Sequence, residues 1–287
     1  MLYVTVGEPL MNAVEPSPFP ESQRVVYRKN PLVEVVCQLR FPAILQIDVE
    51  PPAGFQSRIR SEYPVLNDKS NELLGLPPET PAIVANLLRA RGGKQPQAAY
   101  DFVSADGHWT VSLTREFLAL TTSRYRRWEE FKQHMEIPLQ ALLQQYSPPW
   151  FTRIGLRYQD LVRRSVLNLG KRAWADLLNS HVVGVLAASE LNLSVLQSFT
   201  QTVMRLPGGS SLNLRHGIAQ ASDSNELCYL IDNDFSTEER TSPTNVFTRL
   251  DYFNQQSGRL FRWCITEELH AAMEPELVPD SGDIGHD

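Results

Sequence analysis

Cysteine is scarce in this 287-residue chain. Cys37, Cys228 and Cys264 are odd in number and far apart, which implies no disulfide or zinc framework. The spacing predicts buried free thiols in a reducing, cytoplasmic setting. Long apolar runs are missing too: no stretch approaches the roughly 20 residues a membrane span needs. The first residues lack a basic start and a sustained apolar core, so neither a signal peptide nor membrane attachment is expected. Catalytic signatures are equally thin. The chain has no G-x-S-x-G, no G-x-G-x-x-G and no H-E-x-x-H. Arg91-Gly92-Gly93-Lys94-Gln95 lacks both the upstream glycine of a phosphate loop and the hydroxyl residue after its lysine. These gaps lean against an enzyme, and no cofactor is implied.

Positive charge is absent from both ends. Residues 1–23 hold three acids and residues 267–287 hold seven, with no Lys or Arg in either stretch. The remainder has 23 acids against 27 bases, so a mildly basic core carries acidic ends. Pro9, Pro16, Pro18 and Pro20 predict a flexible lead-in over 1–23, and 274–287 is expected to be an acidic disordered tail.

Between the ends, hydrophobic periodicity lays out two similar halves, 24–148 and 149–273. In the first, Val33, Val35, Cys37, Leu39 and Phe41 alternate with Glu34, Val36, Gln38 and Arg40, which predicts a strand with one covered face. Phe55, Ile59 and Tyr63 predict a short helix stopped by Pro64. Residues 66–97 form a long connection, within which 82–91 is a strand or a helical turn. Strands follow at 98–104, 108–114 and 117–122, the first two joined through Asp106-Gly107. A helix capped by Thr122 or Ser123 carries the stripe Trp128, Phe131, Met135, Leu139, Leu142 and Tyr146, with Pro138 bending it and Ser147-Pro148-Pro149 ending it.

The second half repeats that order. A strand at 151–164 leads to a helix at 171–186. Strands at 191–206, 212–220 and 227–235 follow, and then a long helix from Ser242-Pro243 whose apolar stripe reaches Met273. Leu39-Arg40-Phe41 and Leu156-Arg157-Tyr158 open the two halves with the same Leu-Arg-aromatic step. The expected fold class is therefore α+β, with duplicated β-α-β-β-β-α halves. Together they form a mainly antiparallel sheet with helices on one face, in the element order of helix-grip and TATA-binding-protein-like architectures.

The uncovered face of that sheet holds the first candidate site: Gln38 and Arg40 from one half, Arg153, Arg157 and Gln159 from the other. Arginines fixed on a sheet bind carboxylate or phosphate through two parallel bonds, or else pair with acids such as Glu34. Arg115, Arg124, Arg126 and Arg127, interleaved with Tyr125 and Trp128, are the candidate nucleic-acid contacts. The competing reading is a solvated helix face. Asp232 and Asp234 are weak metal candidates on one face of a strand, set against the commoner reading of a turn at its end.

Several stretches together resemble a known family. They are Tyr27-x-x-Asn30-Pro31-Leu32-Val33-Glu34, Trp109-x-Val111-x-Leu113, Tyr125-x-x-Trp128-x-x-Phe131 and Phe151-x-Arg153-Ile154-Gly155-Leu156-Arg157-Tyr158. The chain is similar to a sporadically distributed bacterial family, slightly shorter than this chain, with no assigned function. The resemblance implies a soluble bacterial protein, a companion of mobile-element or antiviral-defence loci, and supplies no catalytic residue. The leading expectation is a non-enzymatic binding or adaptor protein with a protein partner, a second copy of itself in a homodimer being one such partner. The alternatives are a nucleic-acid-binding protein, and an enzyme or binder of a small anionic ligand at Arg40 and Arg157.

Overall fold

A computed structural model of the chain describes residues 17–68, 99–190, 194–221 and 224–278. The segment 82–91, expected as a strand or a helical turn, lies outside the described residues. The strands are β1 (Val25–Tyr27), β2 (Leu32–Arg40), β3 (Val65–Asp68), β4 (Ala99–Val103), β5 (Trp109–Thr114), β6 (Phe117–Thr122), β7 (Arg153–Val162), β8 (Ser198–Arg205), β9 (Ser210–Gln220), β10 (Leu227–Thr237) and β11 (Pro275–Leu277). The helices are α1 (Gln46–Val49), α2 (Ala53–Ile59), α3 (Trp128–Tyr146), α4 (Trp174–Leu177), α5 (Ser180–Val183), α6 (Val246–Cys264) and α7 (Glu267–Ala272). The class is α+β, as the alternation predicts.

Among the described residues nine strands form one antiparallel sheet in the order β3-β4-β5-β6-β2-β7-β10-β9-β8. The two strands that open the halves, β2 and β7, lie side by side, with Cys37 opposite Leu156 and Leu39 opposite Ile154. Outward from that pair, β6, β5 and β4 follow on one flank and β10, β9 and β8 on the other, so each flank lists its strands in reverse chain order.

One face of the sheet is covered. Val35, Cys37 and Leu39 of β2, Ile154, Leu156 and Tyr158 of β7, and Tyr229, Ile231 and Phe235 of β10 are buried there. The long helices seal them. Phe131 of α3 packs on Trp109, and Phe253 of α6 stacks on Phe235. Burying a large apolar side chain contributes about 1.5–3 kcal/mol, so this layer dominates the folding free energy. The two helices are also linked to each other: Trp128 Nε1 donates to Asp251 Oδ1 at 2.7 Å, and Lys132 bridges to the same carboxylate at 2.8 Å.

Val33 departs from the expected alternation. The β2–β7 register shifts between Leu32 and Glu34, and Val33 turns outward to 41% exposure. A bulge of one residue reverses the face of everything before it. The helix expected at 171–186 is broken into α4, α5 and a 3₁₀ turn at Gly184–Ala187. The break has a tertiary cause. Leu178 bridges to Ile265, and the Asn179 amide donates to the carbonyls of Trp263 and Ile265, so this segment caps the end of α6. The stripe nevertheless stays inside, with Trp174, Leu177, Leu178 and Val182 buried. The final helix likewise stops at Cys264, and Thr266 caps a separate α7. Arg127, rather than Thr122 or Ser123, is the N-cap residue of α3, and that helix runs through Pro138.

Parts of both expected flexible ends belong to the fold. Phe19 is buried against Phe235 and Trp263. β11 pairs with β1, and Lys29 and Arg28 bind Glu274 and Glu276 at 2.8 and 2.5 Å. The first acids of the tail thus neutralise the basic turn before β2.

Candidate functional site: the helix-free face

Alternation along the three central strands sends a second set of side chains to the opposite face, which carries no helix among the described residues. β2 contributes Glu34, Val36, Gln38 and Arg40; β7 contributes Arg153, Gly155, Arg157 and Gln159; β10 contributes Asp232 and Asp234. β9 adds Asn213 and Arg215 in register with Asp234 and Asp232. All five sequence candidates, Gln38, Arg40, Arg153, Arg157 and Gln159, therefore share this surface.

Their charges are matched within the chain. Arg157 binds Asp232 through two parallel bonds, Nε to Oδ1 at 2.7 Å and Nη2 to Oδ2 at 2.7 Å. Arg215 Nη2 reaches Asp232 Oδ2 from the other side at 2.6 Å. Asp232 is only 2% exposed, so two guanidiniums share one nearly dry carboxylate. Ion pairing in such a site is far stronger than at an exposed surface, while removing either partner leaves a costly buried charge. The hydrogen bonds that Arg157 donates to Asp232 raise the Arg157 pKa further, keeping it charged at any working pH.

Arg153 forms the second node. Its Nη2 donates to both oxygens of Asp234, at 3.3 and 3.0 Å, and its Nη1 to Gln38 Oε1 at 3.4 Å. It reaches them by lying back over Gly155, where a Cβ would sit 2.3 Å from Nη1. Glycine at this position clears the path. Burial raises the Asp234 pKa, with Asp232 adding to that effect, and the Arg153 and Arg157 charges only partly offset it. Gln38 also accepts from Arg40 Nε at 3.1 Å. Gln159, with its amide turned to suit both neighbours, donates to Glu34 at 3.2 Å and accepts from Arg157.

Arg40 and Arg157 do not form a joint anion clamp. Arg40 stands opposite Arg153, whereas Arg157 stands opposite Val36, four residues along the ladder. At about 3.3 Å per residue that offset exceeds what one carboxylate or phosphate spans. Asp232 and Asp234 are not at the end of a strand either. They sit in mid-β10, Asp234 opposite Arg157 of β7 and Asp232 opposite Arg215 of β9, and among the described residues no group of three or more metal-type ligands occurs. Asp232 and Asp234, read from the sequence as metal candidates, and Arg215, which the sequence did not mark, complete the lattice; the i, i+2 spacing of the two aspartates on one strand face is its sequence signal.

The basic cluster proposed for nucleic acid is divided. Arg115 lies in the β5–β6 turn, held by Asp48 and Glu116 at 3.2 Å each. Arg124, Arg126 and Arg127 are exposed at the other end of β6, before α3. The length of β6 separates the two groups by roughly 17 Å. Trp128, interleaved with them in sequence, is buried under the sheet. Of the basic residues that follow β7, Arg164 covers the Trp174 ring at 4.5 Å, and Arg172 pairs with Glu268.

The cysteines are all buried free thiols. Burial pushes the Cys37 and Cys264 thiols upward and makes them poor nucleophiles. No family model and no curated protein matches this chain, so the helix-free face has to be interpreted from its own chemistry.

Proposed function

We propose that the protein is a non-enzymatic binding or adaptor module that docks a protein partner on the helix-free face of its sheet. The observation that carries this reading is the internal pairing of that face. Arg153 and Arg157 are held by Asp234 and Asp232, so the surface offers a fixed mosaic of both charge signs rather than a positive field. Mixed, preorganised charge favours a protein with a complementary pattern, and it lowers the ordering cost of association. A polyanion gains little from guanidiniums that would first have to leave their carboxylates. We further propose that the matching strand order of the two flanks reflects an internal duplication, and that the protein works in the cytoplasm of a bacterial defence or mobile-element system.

The test is quantitative capture of a partner from an extract of the source cells by the full chain. Arg40→Glu and Thr121→Arg alter the helix-free face, and Glu136→Lys alters the exposed side of α3. Loss of the same captured protein in the first two, with retention in the third, is the expected result. Equal capture by all of them would overturn the reading.

The nucleic-acid alternative rests on one specific observation, the exposed trio Arg124, Arg126 and Arg127. It requires binding that weakens steeply with salt and is lost in the triple Ala variant.

A further inference from the structure

The outer strand β8 differs from the rest of the sheet. Among the described residues it pairs with β9 alone, through eight consecutive positions from Ser198 opposite Ile218 to Arg205 opposite Ser211, without a bulge. Edge strands are normally protected by Lys, Pro, inward charges or bulges. Between Ser198 and Met204 β8 has no proline and no charged residue. Instead it presents Phe199 at 52% and Val203 at 71% exposure, with Leu196 at 81% just before it. Gly217 holds the strand close: a Cβ there would lie 1.9 Å from the Ser198 carbonyl oxygen.

We infer that β8 is a self-pairing edge, and that two copies of this chain join antiparallel along it into one continuous sheet. The register follows from elementary geometry. In an antiparallel ladder, directly opposed residues must both point their backbone groups toward the partner or both away. For two identical strands that places a residue opposite itself at the two-fold axis. Pairing about Thr200 sets Phe199 against Gln201, and pairing about Thr202 sets Phe199 against the Arg205 guanidinium. Pairing about Gln201 sets Phe199 against Val203 and Val203 against Phe199 on one face, and Thr200 against Thr202 on the other. Aromatic with β-branched and Thr with Thr are the cross-strand pairs that stabilise sheets. No like charges face each other anywhere in this register.

The occupant is thus a second copy, because Ser198–Met204 is complementary to itself. The inference does not depend on the proposed docking function. It adds that the helix-free faces of both copies lie on the same side of the joined sheet, since Phe199, Val203, Arg157 and Asp232 share that side.

Sedimentation equilibrium of the full chain, from micromolar to submillimolar concentration, tests this directly. The wild type is expected to dimerise. Gln201→Lys brings two lysines face to face and is expected to weaken the dimer at least about tenfold, with unchanged far-UV circular dichroism showing that the protomer is intact. Gln201→Cys supplies a test of register. Direct cross-strand partners have Cβ atoms about 4.5–5.5 Å apart, near disulfide reach, whereas diagonal ones are about 7–8 Å apart. Under mild oxidation Gln201→Cys is therefore expected to form a reducible dimer. Thr200→Cys alone should not, and a mixture of Thr200→Cys with Thr202→Cys should. A monomeric wild type overturns the inference. So does a dimer that Gln201→Lys leaves unweakened, or one that Gln201→Cys fails to lock.

Discussion

Arg157 stands directly opposite Asp234 in the β7–β10 ladder, yet its fork closes on Asp232, one step along the same face. Asp234 is left to Arg153, which folds back over Gly155 to reach it. This diagonal exchange ties β2, β7, β10 and β9 into a single charged layer opposite the apolar one.

Removing Arg157 leaves Asp232 almost dry, with Arg215 as its remaining cation. Arg157→Ala is expected to lower unfolding stability by about 1.5–3 kcal/mol. The triple replacement Arg157→Met, Arg215→Met and Asp232→Leu is expected to be close to neutral, because it removes all three interacting charges together. Urea denaturation of the two variants measures the contrast. Equal losses would show that the pair is not the source of the effect.

Asp160 is a second carboxyl of interest, on the covered face of β7 and 5% exposed. Burial first, then the Asp232 charge, raises its pKa well above the ordinary aspartate range. A raised folded-state pKa gives stability that is full below the unfolded value of about 3.9 and lost as pH rises through the folded value. Asp160→Asn is therefore expected to raise the melting temperature more at pH 8 than at pH 4. A gain independent of pH would contradict a buried, protonated Asp160.

The histidines act in the opposite direction. His216 is buried, with Nδ1 2.8 Å from the Tyr229 hydroxyl, which itself donates to the Val182 carbonyl. That hydroxyl has only its lone pairs left for His216, so Nδ1 carries the proton and donates. Burial, reinforced by nearby His181, lowers the His216 pKa. Burial pushes the Cys264 thiol beside Tyr229 upward and keeps it protonated, and Trp263 stacks on His181 at 3.6 Å. A lowered folded-state pKa means stability is full above the unfolded value of about 6.5 and falls as pH drops from there. Thermal unfolding between pH 7 and 5 is expected to show this loss, and His216→Gln, which keeps a donor near Tyr229, is expected to reduce its slope. An unchanged slope would assign the titration elsewhere.

Phe19 tests how far the fold extends toward the N-terminus. It packs edge-on against Phe235, with ring centroids 6.4 Å apart, and beside it Ser17 donates to Gln256 at 2.6 Å. Phe19→Ala is expected to cost about 3–5 kcal/mol, as for other buried aromatics. A loss below about 0.5 kcal/mol, typical of surface sites, would remove Phe19 from the core.

The longer strands of the sheet and both long helices were legible because their signals are local, whereas β1, β3 and β11, at three or four residues each, are too short to show a period. Alternation over Val35–Leu39 and the four-residue spacing of Phe131, Met135 and Leu139 are fixed by the periods of strand and helix. Phe19 was not legible, since one aromatic among prolines has no period. The break at Leu178–Asn179 was hidden because its cause lies at Trp263 and Ile265, more than 80 residues away. The site was half legible. Alternation sends Arg153 and Arg157 to the open face, but their carboxylates lie on a strand 75 or more residues later, and only the register of β7 against β10 brings them together. Without that register, Asp232-Asn233-Asp234 resembles a turn, and Arg40 with Arg157 resembles a clamp.

On the proposed reading, the protein meets its partner at the helix-free face. Carboxyl footprinting by mass spectrometry, on the full chain alone and on the captured complex, measures this most directly. The expected result is protection of Glu34 and Asp101 on the helix-free face, with Glu130 and Glu136 on α3 labelled equally in both states. Protection confined to Glu130 and Glu136 would contradict it.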